Sequence, residues 1–131
     1  MSSADRSPGC VRISRDIWDD SAFKAEALSE REAFVWLIME ARWKAGDRRV
    51  GNEVFRLERG QLAASVRFMA EAWGWSKSRV DRYLNRISGR GMIHVKSGTA
   101  ASIITICKYN EYQGERDSSG TAAGQKRIRG K

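Results

Sequence analysis

Residues 66–87 read VRFMAEAWGWSKSRVDRYLNRI. Taking Val66 as the first position of a twenty-residue window, the fifth is Ala70, small enough for a second helix to pack close. The ninth is Gly74, where a sharp turn favours positive φ. Met69, Trp73 and Trp75 fill the apolar fourth, eighth and tenth positions, and Val80 and Tyr83 fill the fifteenth and eighteenth. Ser65 offers an N-cap for a helix over Val66–Trp73, and Ser76 caps a second running to about Arg90, with Gly89 and Gly91 as stop signals. Every structural position of a helix-turn-helix is thus suitably occupied.

At 100° per residue, Val80, Tyr83, Leu84 and Ile87 of the second helix cluster on one side, which should face the core. The opposite side carries Ser78, Arg82 and Asn85, flanked by Arg79 and Arg86. Arg suits the guanine major-groove edge and Asn the adenine edge. Ser76, Lys77 and Ser78 lie at the helix N-terminus, where hydroxyls and backbone N–H groups suit phosphate. Asp81 repels phosphate; it lies at the side of this face, to bond a cytosine amino group or pair with a neighbouring Arg.

Downstream, Met92–Lys96 and Ser102–Tyr109 are β-rich runs about the short tip Ser97–Ala101, a hairpin. Upstream, Ser29-Glu30-Arg31-Glu32 has the form of a capping box. It opens a helix that is apolar nearly all round through Ala33–Met39, hence central and buried, with Gly46-Asp47 ending it after Trp43 and Lys44. Residues 48–62 read as one extended segment with a turn or bulge at Arg59-Gly60. Val11–Phe23 reads as a short strand or turn leading to a possible helix start at Asp19-Asp20-Ser21. The fold expected is α+β and mostly helical, a winged helix-turn-helix with a C-terminal β-hairpin wing. Residues 1–11 form a flexible N-terminus, 12–112 the domain, and 113–131 a disordered basic tail. Arg67 and Lys96, the latter at the wing base, complete the candidate DNA-binding set with Ser76, Lys77, Ser78, Arg79, Arg82, Asn85 and Arg86.

The 131 residues carry a formal charge of +8, and its distribution says more than its size. Residues 65–96 hold Arg67, Lys77, Arg79, Arg82, Arg86, Arg90 and Lys96 against Glu71 and Asp81, a net +5. Residues 16–40 hold Asp16, Asp19, Asp20, Glu26, Glu30, Glu32 and Glu40 against Lys24 and Arg31, a net −5. One face is thus suited to a polyanion and another turned away from it. No apolar run approaches a membrane span, and no secretory leader is visible. The expected location is therefore the cytoplasm. Two cysteines and one histidine make neither a disulfide scaffold nor a zinc pattern, and no Walker-type loop is present, so no enzymatic activity, cofactor or metal is expected. Cys107 reads as a buried small hydrophobe, His94 as a strand residue, and Trp36, Trp73 and Trp75 as core; Trp18 and Trp43 are undecided. Lys126–Lys131 could add phosphate contacts or serve only solubility.

The runs Arg59-Gly60-Gln61-Leu62, Ser65-x-Arg67-Phe68-Met69-Ala70, Trp73-Gly74-Trp75-Ser76-Lys77-Ser78, Tyr83-Leu84, Gly91-Met92-Ile93 and Ile104–Gln113 resemble the N-terminal winged-helix domains of phage and plasmid replication initiators or replisome organisers. The likeness extends back to Phe34–Ile38. It implies a sequence-specific double-stranded DNA-binding protein of a mobile element acting at a replication origin. Possible partners are replication or transcription proteins and, as a homodimer or array, further copies on repeated sites. In that family a separate C-terminal region often recruits helicase or primase, and here only a short tail follows the wing. A transcriptional regulator is the alternative within DNA binding. An adaptor docking partners on the acidic 16–40 segment is the alternative of another class.

Overall fold

The structure, a computed structural model, describes residues 9–114. The expectations for residues 1–8 and for 115–131, including the basic run at the C-terminus, fall outside the described residues. Between them lies an α+β fold with four α-helices and two small antiparallel sheets. In chain order come a 3-10 turn (Arg15–Asp19), α1 (Glu30–Glu40), β1 (Gly46–Val50), β2 (Glu53–Leu57), β3 (Gln61–Ala64), α2 (Val66–Trp73), α3 (Lys77–Gly89), β4 (Ile93–Lys96), β5 (Ser102–Ile106) and a short α4 (Tyr109–Gln113). β1 and β2 form a two-stranded ribbon, and the other sheet has the order β3-β5-β4.

Local chemistry accounts for the helices. The Ser29 hydroxyl accepts from the Glu32 N–H at 3.2 Å, and the Glu32 carboxylate accepts from the Ser29 N–H at 2.7 Å, so both halves of the capping box form. Ser65 and Ser76 cap α2 and α3 through the N–H groups of Phe68 and Arg79. Gly74 ends α2 at φ +73°, and its N–H and that of Trp75 both reach the Ala70 carbonyl. At the end of α3 the Gly91 N–H bonds the Ser88 carbonyl and the Met92 N–H the Ile87 carbonyl, the paired bonds of a Schellman motif.

One apolar core joins α1, α2, α3 and the inner face of the three-stranded sheet. Trp73, Leu37, Met69, Val80 and Ile104 are fully buried in it, each contributing on the order of 1.5–3 kcal/mol. The tryptophans expected as core are core: Trp73 meets Trp36, Trp75 and Tyr83 edge-on, and Trp75 also meets Tyr83, at 5.0–5.7 Å between ring centroids. A second, smaller core lies on the opposite face of the sheet. There Leu57 of β2 packs with Ala63 and Ala101, supported by Val50, Phe55 and Ile103. Along β5, Ile104 and Ile106 therefore face the helices while Ile103 faces the ribbon with Ala63, and the rest of that second face is polar, with Gln61, His94, Lys96 and Thr105.

Five expectations need correction. The first helix ends at Glu40, not near Lys44. Arg42 instead donates its N–H to the Gln61 carbonyl and accepts from the Gly60 N–H, so strand-like pairing wins over another helical turn. Its outer side, Phe34, Val35, Ile38 and Met39, is only half-buried. The single extended segment 48–62 is three strands. β1 and β2 turn back on each other around Gly51-Asn52, with Val50 opposite Glu53 and Gly51 at φ +61°. No helix starts at Asp19–Ser21; a Ser14-capped 3-10 turn ends there, and Asp20 closes a local turn through the Ala22 N–H. The last strand stops at Ile106, and Tyr109–Gln113 is helical. Cys107, just past that strand, is exposed rather than buried. Among the described residues no helix is long and apolar enough to cross a membrane, and no cluster of His, Cys, Asp and Glu is grouped to hold a metal ion.

Candidate nucleic-acid interface

α3 is fixed by the side that its apolar spacing dictates. Val80, Tyr83, Leu84 and Ile87 are all buried. Two polar ties from the same unit then set its position against the start of α1. The Tyr83 hydroxyl donates to the Glu30 carbonyl at 2.8 Å, and the Trp75 indole N–H donates to the Leu28 carbonyl at 2.8 Å. The Leu28 N–H answers with a bond to the Trp73 carbonyl. Burial pushes the Tyr83 hydroxyl pKa up to about 12; the Glu30 carboxylate adds to the rise and Arg86 opposes it.

The opposite side of α3 is solvent-facing. Ser78, Arg82 and Asn85 form one row on it, all exposed. They span about 10 Å at helical rise, comparable to the ~12 Å width of a major groove. Among the described residues, Lys77, Arg82 and Asn85 take part in no ion pair and in no side-chain hydrogen bond. Asp81 is exposed and likewise pairs with no arginine, so its expected neighbour contact does not form.

Of the other candidates, all but Lys96 are already engaged. Ser76 uses its hydroxyl oxygen as the α3 cap. The Arg79 guanidinium carbon lies over the Trp75 ring, 3.8 Å from its centroid. Arg86 leans over Tyr83 and bonds the Glu30 carboxylate at 2.7 Å. Arg67 projects from the exposed side of α2 and meets Glu71 one turn on at 3.6 Å. Lys96 ends β4 opposite Ile103 and is exposed, at the entrance to the Ser97–Ala101 tip. His94 is an exposed strand residue opposite Thr105.

Ser78, Arg82 and Asn85 thus come together with Lys77 at one end, while Arg79 and Arg86 flank them as positioned cations. Glu30 is the residue that sequence reading missed here. It counted only as part of an acidic segment, because its partner Arg86 is fifty-six positions away. The Arg79–Trp75 stack had a local signal in its four-residue separation. No protein-family model matches the chain, and no curated protein or solved structure matches it.

Proposed function

We propose that the chain is a winged-helix protein that binds duplex DNA sequence-specifically, with α3 in the major groove and the β4–β5 hairpin as the wing. The row Ser78, Arg82 and Asn85 carries this reading. A helix anchored by four buried residues presents base-reading side chains that nothing else in the described chain occupies. The element order supports it. With the β1–β2 ribbon taken as an insertion between α1 and β3, the order α1, β3, α2, α3, β4, β5, with α2 and α3 joined by a three-residue turn and β3 paired to β5, is the one expected of such a domain. Lys77, Arg79, Arg90, Arg67 and Lys96 supply the phosphate contacts. The wing tip bears only Lys96, so its share is small. The placement at a mobile element's replication origin rests on the sequence resemblance.

The test is duplex binding with salt and sequence varied. With about five cations on phosphate, log K falls with log salt at a slope of roughly −4.5. A flat salt response would overturn the reading. Arg82→Ala should cost on the order of 1–3 kcal/mol in binding and relax the preference at one base position. Unchanged binding by that variant would remove α3 from the groove. Selection from random duplexes then addresses the role: repeated sites at an origin support replication initiation, and a palindrome over a promoter overturns it in favour of transcriptional control.

A further inference from the structure

Of nine large hydrophobic side chains exposed among the described residues, five fall within 11–23: Val11, Ile13, Ile17, Trp18 and Phe23. Scattered exposed apolar residues are ordinary, but a concentration of this kind marks an interaction surface. This segment crosses the outer side of α1. It is tied to Met39, whose carbonyl accepts from the Arg15 guanidinium at 2.7 Å and whose sulfur accepts from the Trp18 indole N–H at 2.7 Å. Between the segment and α1 run two adjoining cavities of about 490 and 840 Å³, sharing Ile13, Val35 and Met39. Leu28, Val35, Trp36 and Met39 line the larger one, and its edge carries Asp19, Asp20, Glu26 and Glu32 against the single cation Lys24. None of those four carboxylates has an ion-pair partner among the described residues.

We propose that the larger, acidic part of this trough, as distinct from the smaller part lined by Arg12 and Arg15, is a docking site for a basic amphipathic helix of a partner protein. An apolar trough fits the i, i+3, i+4, i+7 side chains of such a helix. The unmatched carboxylates select lysine and arginine on its flanks, and they disfavour an acidic helix or a nucleic acid. A second copy of the described chain does not supply the ligand. The apolar residues of α3 are buried in the core, and α2 exposes only Phe68 among its large apolar residues. The surface is separate from the exposed row of α3, so the proposal stands whether or not α3 binds DNA.

The experiment titrates the full chain with two synthetic helical peptides of about 18 residues, five turns long. Both carry the same leucine stripe; one has lysine and arginine flanks and the other glutamate. Calorimetry at about 0.15 M salt, where the Debye length is roughly 8 Å, measures affinity. Amide and indole NMR shifts locate the site. The expected result is saturable one-to-one binding of the basic peptide, with shifts at the Trp18 indole and at Val35 and Met39, and affinity for the acidic twin at least about tenfold lower. Trp18→Ala and the double change Asp19→Lys with Asp20→Lys should each weaken the basic peptide by about tenfold. Each variant loses one local contact, the Trp18–Met39 or the Asp20–Ala22 bond, outside the main core, so both should still melt cooperatively with only a small drop in midpoint. Failure of the basic peptide to bind, equal affinity for the two peptides, or binding undiminished in either variant overturns the proposal.

Discussion

Tyr83 and Tyr109 are both buried, yet their hydroxyls meet opposite fates. That of Tyr83 donates to the Glu30 carbonyl, whereas that of Tyr109 finds no partner among the described residues. Removing a made hydrogen bond costs about 1 kcal/mol and leaves an acceptor unsatisfied, while removing an unmade one restores the desolvation already spent on it. Tyr83→Phe should therefore lower stability by about 1 kcal/mol, and Tyr109→Phe should be neutral within about 0.5 kcal/mol or stabilising. Urea titrations of both variants decide it. The stacking of Arg59 over the Tyr109 ring, 4.9 Å from its centroid, survives that second change. Tyr83 also sets a pH dependence. Its folded pKa lies near 12, above the ordinary value of 10.0, so its contribution is complete below pH 10. It is lost as pH rises toward 12, because the unfolded chain releases that proton first. Stability should fall more steeply across this window for the parent than for Tyr83→Phe. Parallel slopes would mean that the hydroxyl ionises as freely in the fold as in the open chain.

The turn between α2 and α3 ties sequence to architecture at the scale of elements. Gly74 sits at φ +73°, and a Cβ placed there would lie 3.1 Å from the Ala27 Cα and 3.3 Å from its Cβ. Left-handed strain and a backbone neighbour with little room to yield act together. Gly74→Ala should thus cost on the order of 1–3 kcal/mol, read as a lower urea midpoint at unchanged m-value. A cost under about 0.5 kcal/mol would mean that the 25–28 segment moves aside freely. This turn, its two serine caps and the buried side of α3 were legible because each signal lies within a few residues of the structure it makes. The capping box of α1 was legible for the same reason. The β1–β2 ribbon carried a local signal too, Gly51-Asn52 between two short strands, but arginines at 48, 49 and 56 obscured the alternation. The end of α1 had no local signal. It stops at Glu40 because Arg42 pairs with residues 60 and 61, a contact set by the tertiary fold. Cys107 was misplaced because the β-rich run was carried past Ile106, where the chain leaves the sheet to form α4.

Across the described chain, the cations of α3 and the carboxylates of the trough lie on different elements. The cations of α3 stand on its solvent side, and the unpaired carboxylates Asp19, Asp20 and Glu26 rim the trough beside α1. Among the described residues, only the Glu30–Arg86 pair joins α3 to the acidic 16–40 segment, and it neutralises one of the five cations on or just beyond α3, Lys77, Arg79, Arg82, Arg86 and Arg90. If DNA lies on α3, the trough carboxylates act on it at long range, through a field that salt screens, and not through contact. Asp19→Asn with Asp20→Asn should then raise duplex affinity modestly at low salt, with the gain shrinking as salt approaches about 0.15 M. The slope of log K against log salt should stay unchanged, because it counts the phosphates touched. Discrimination between the preferred site and random duplex should also be unaffected, since that depends on Ser78, Arg82 and Asn85. A slope that steepens by about one, together with a gain that persists at high salt, would place phosphate against the trough and move the DNA path off α3.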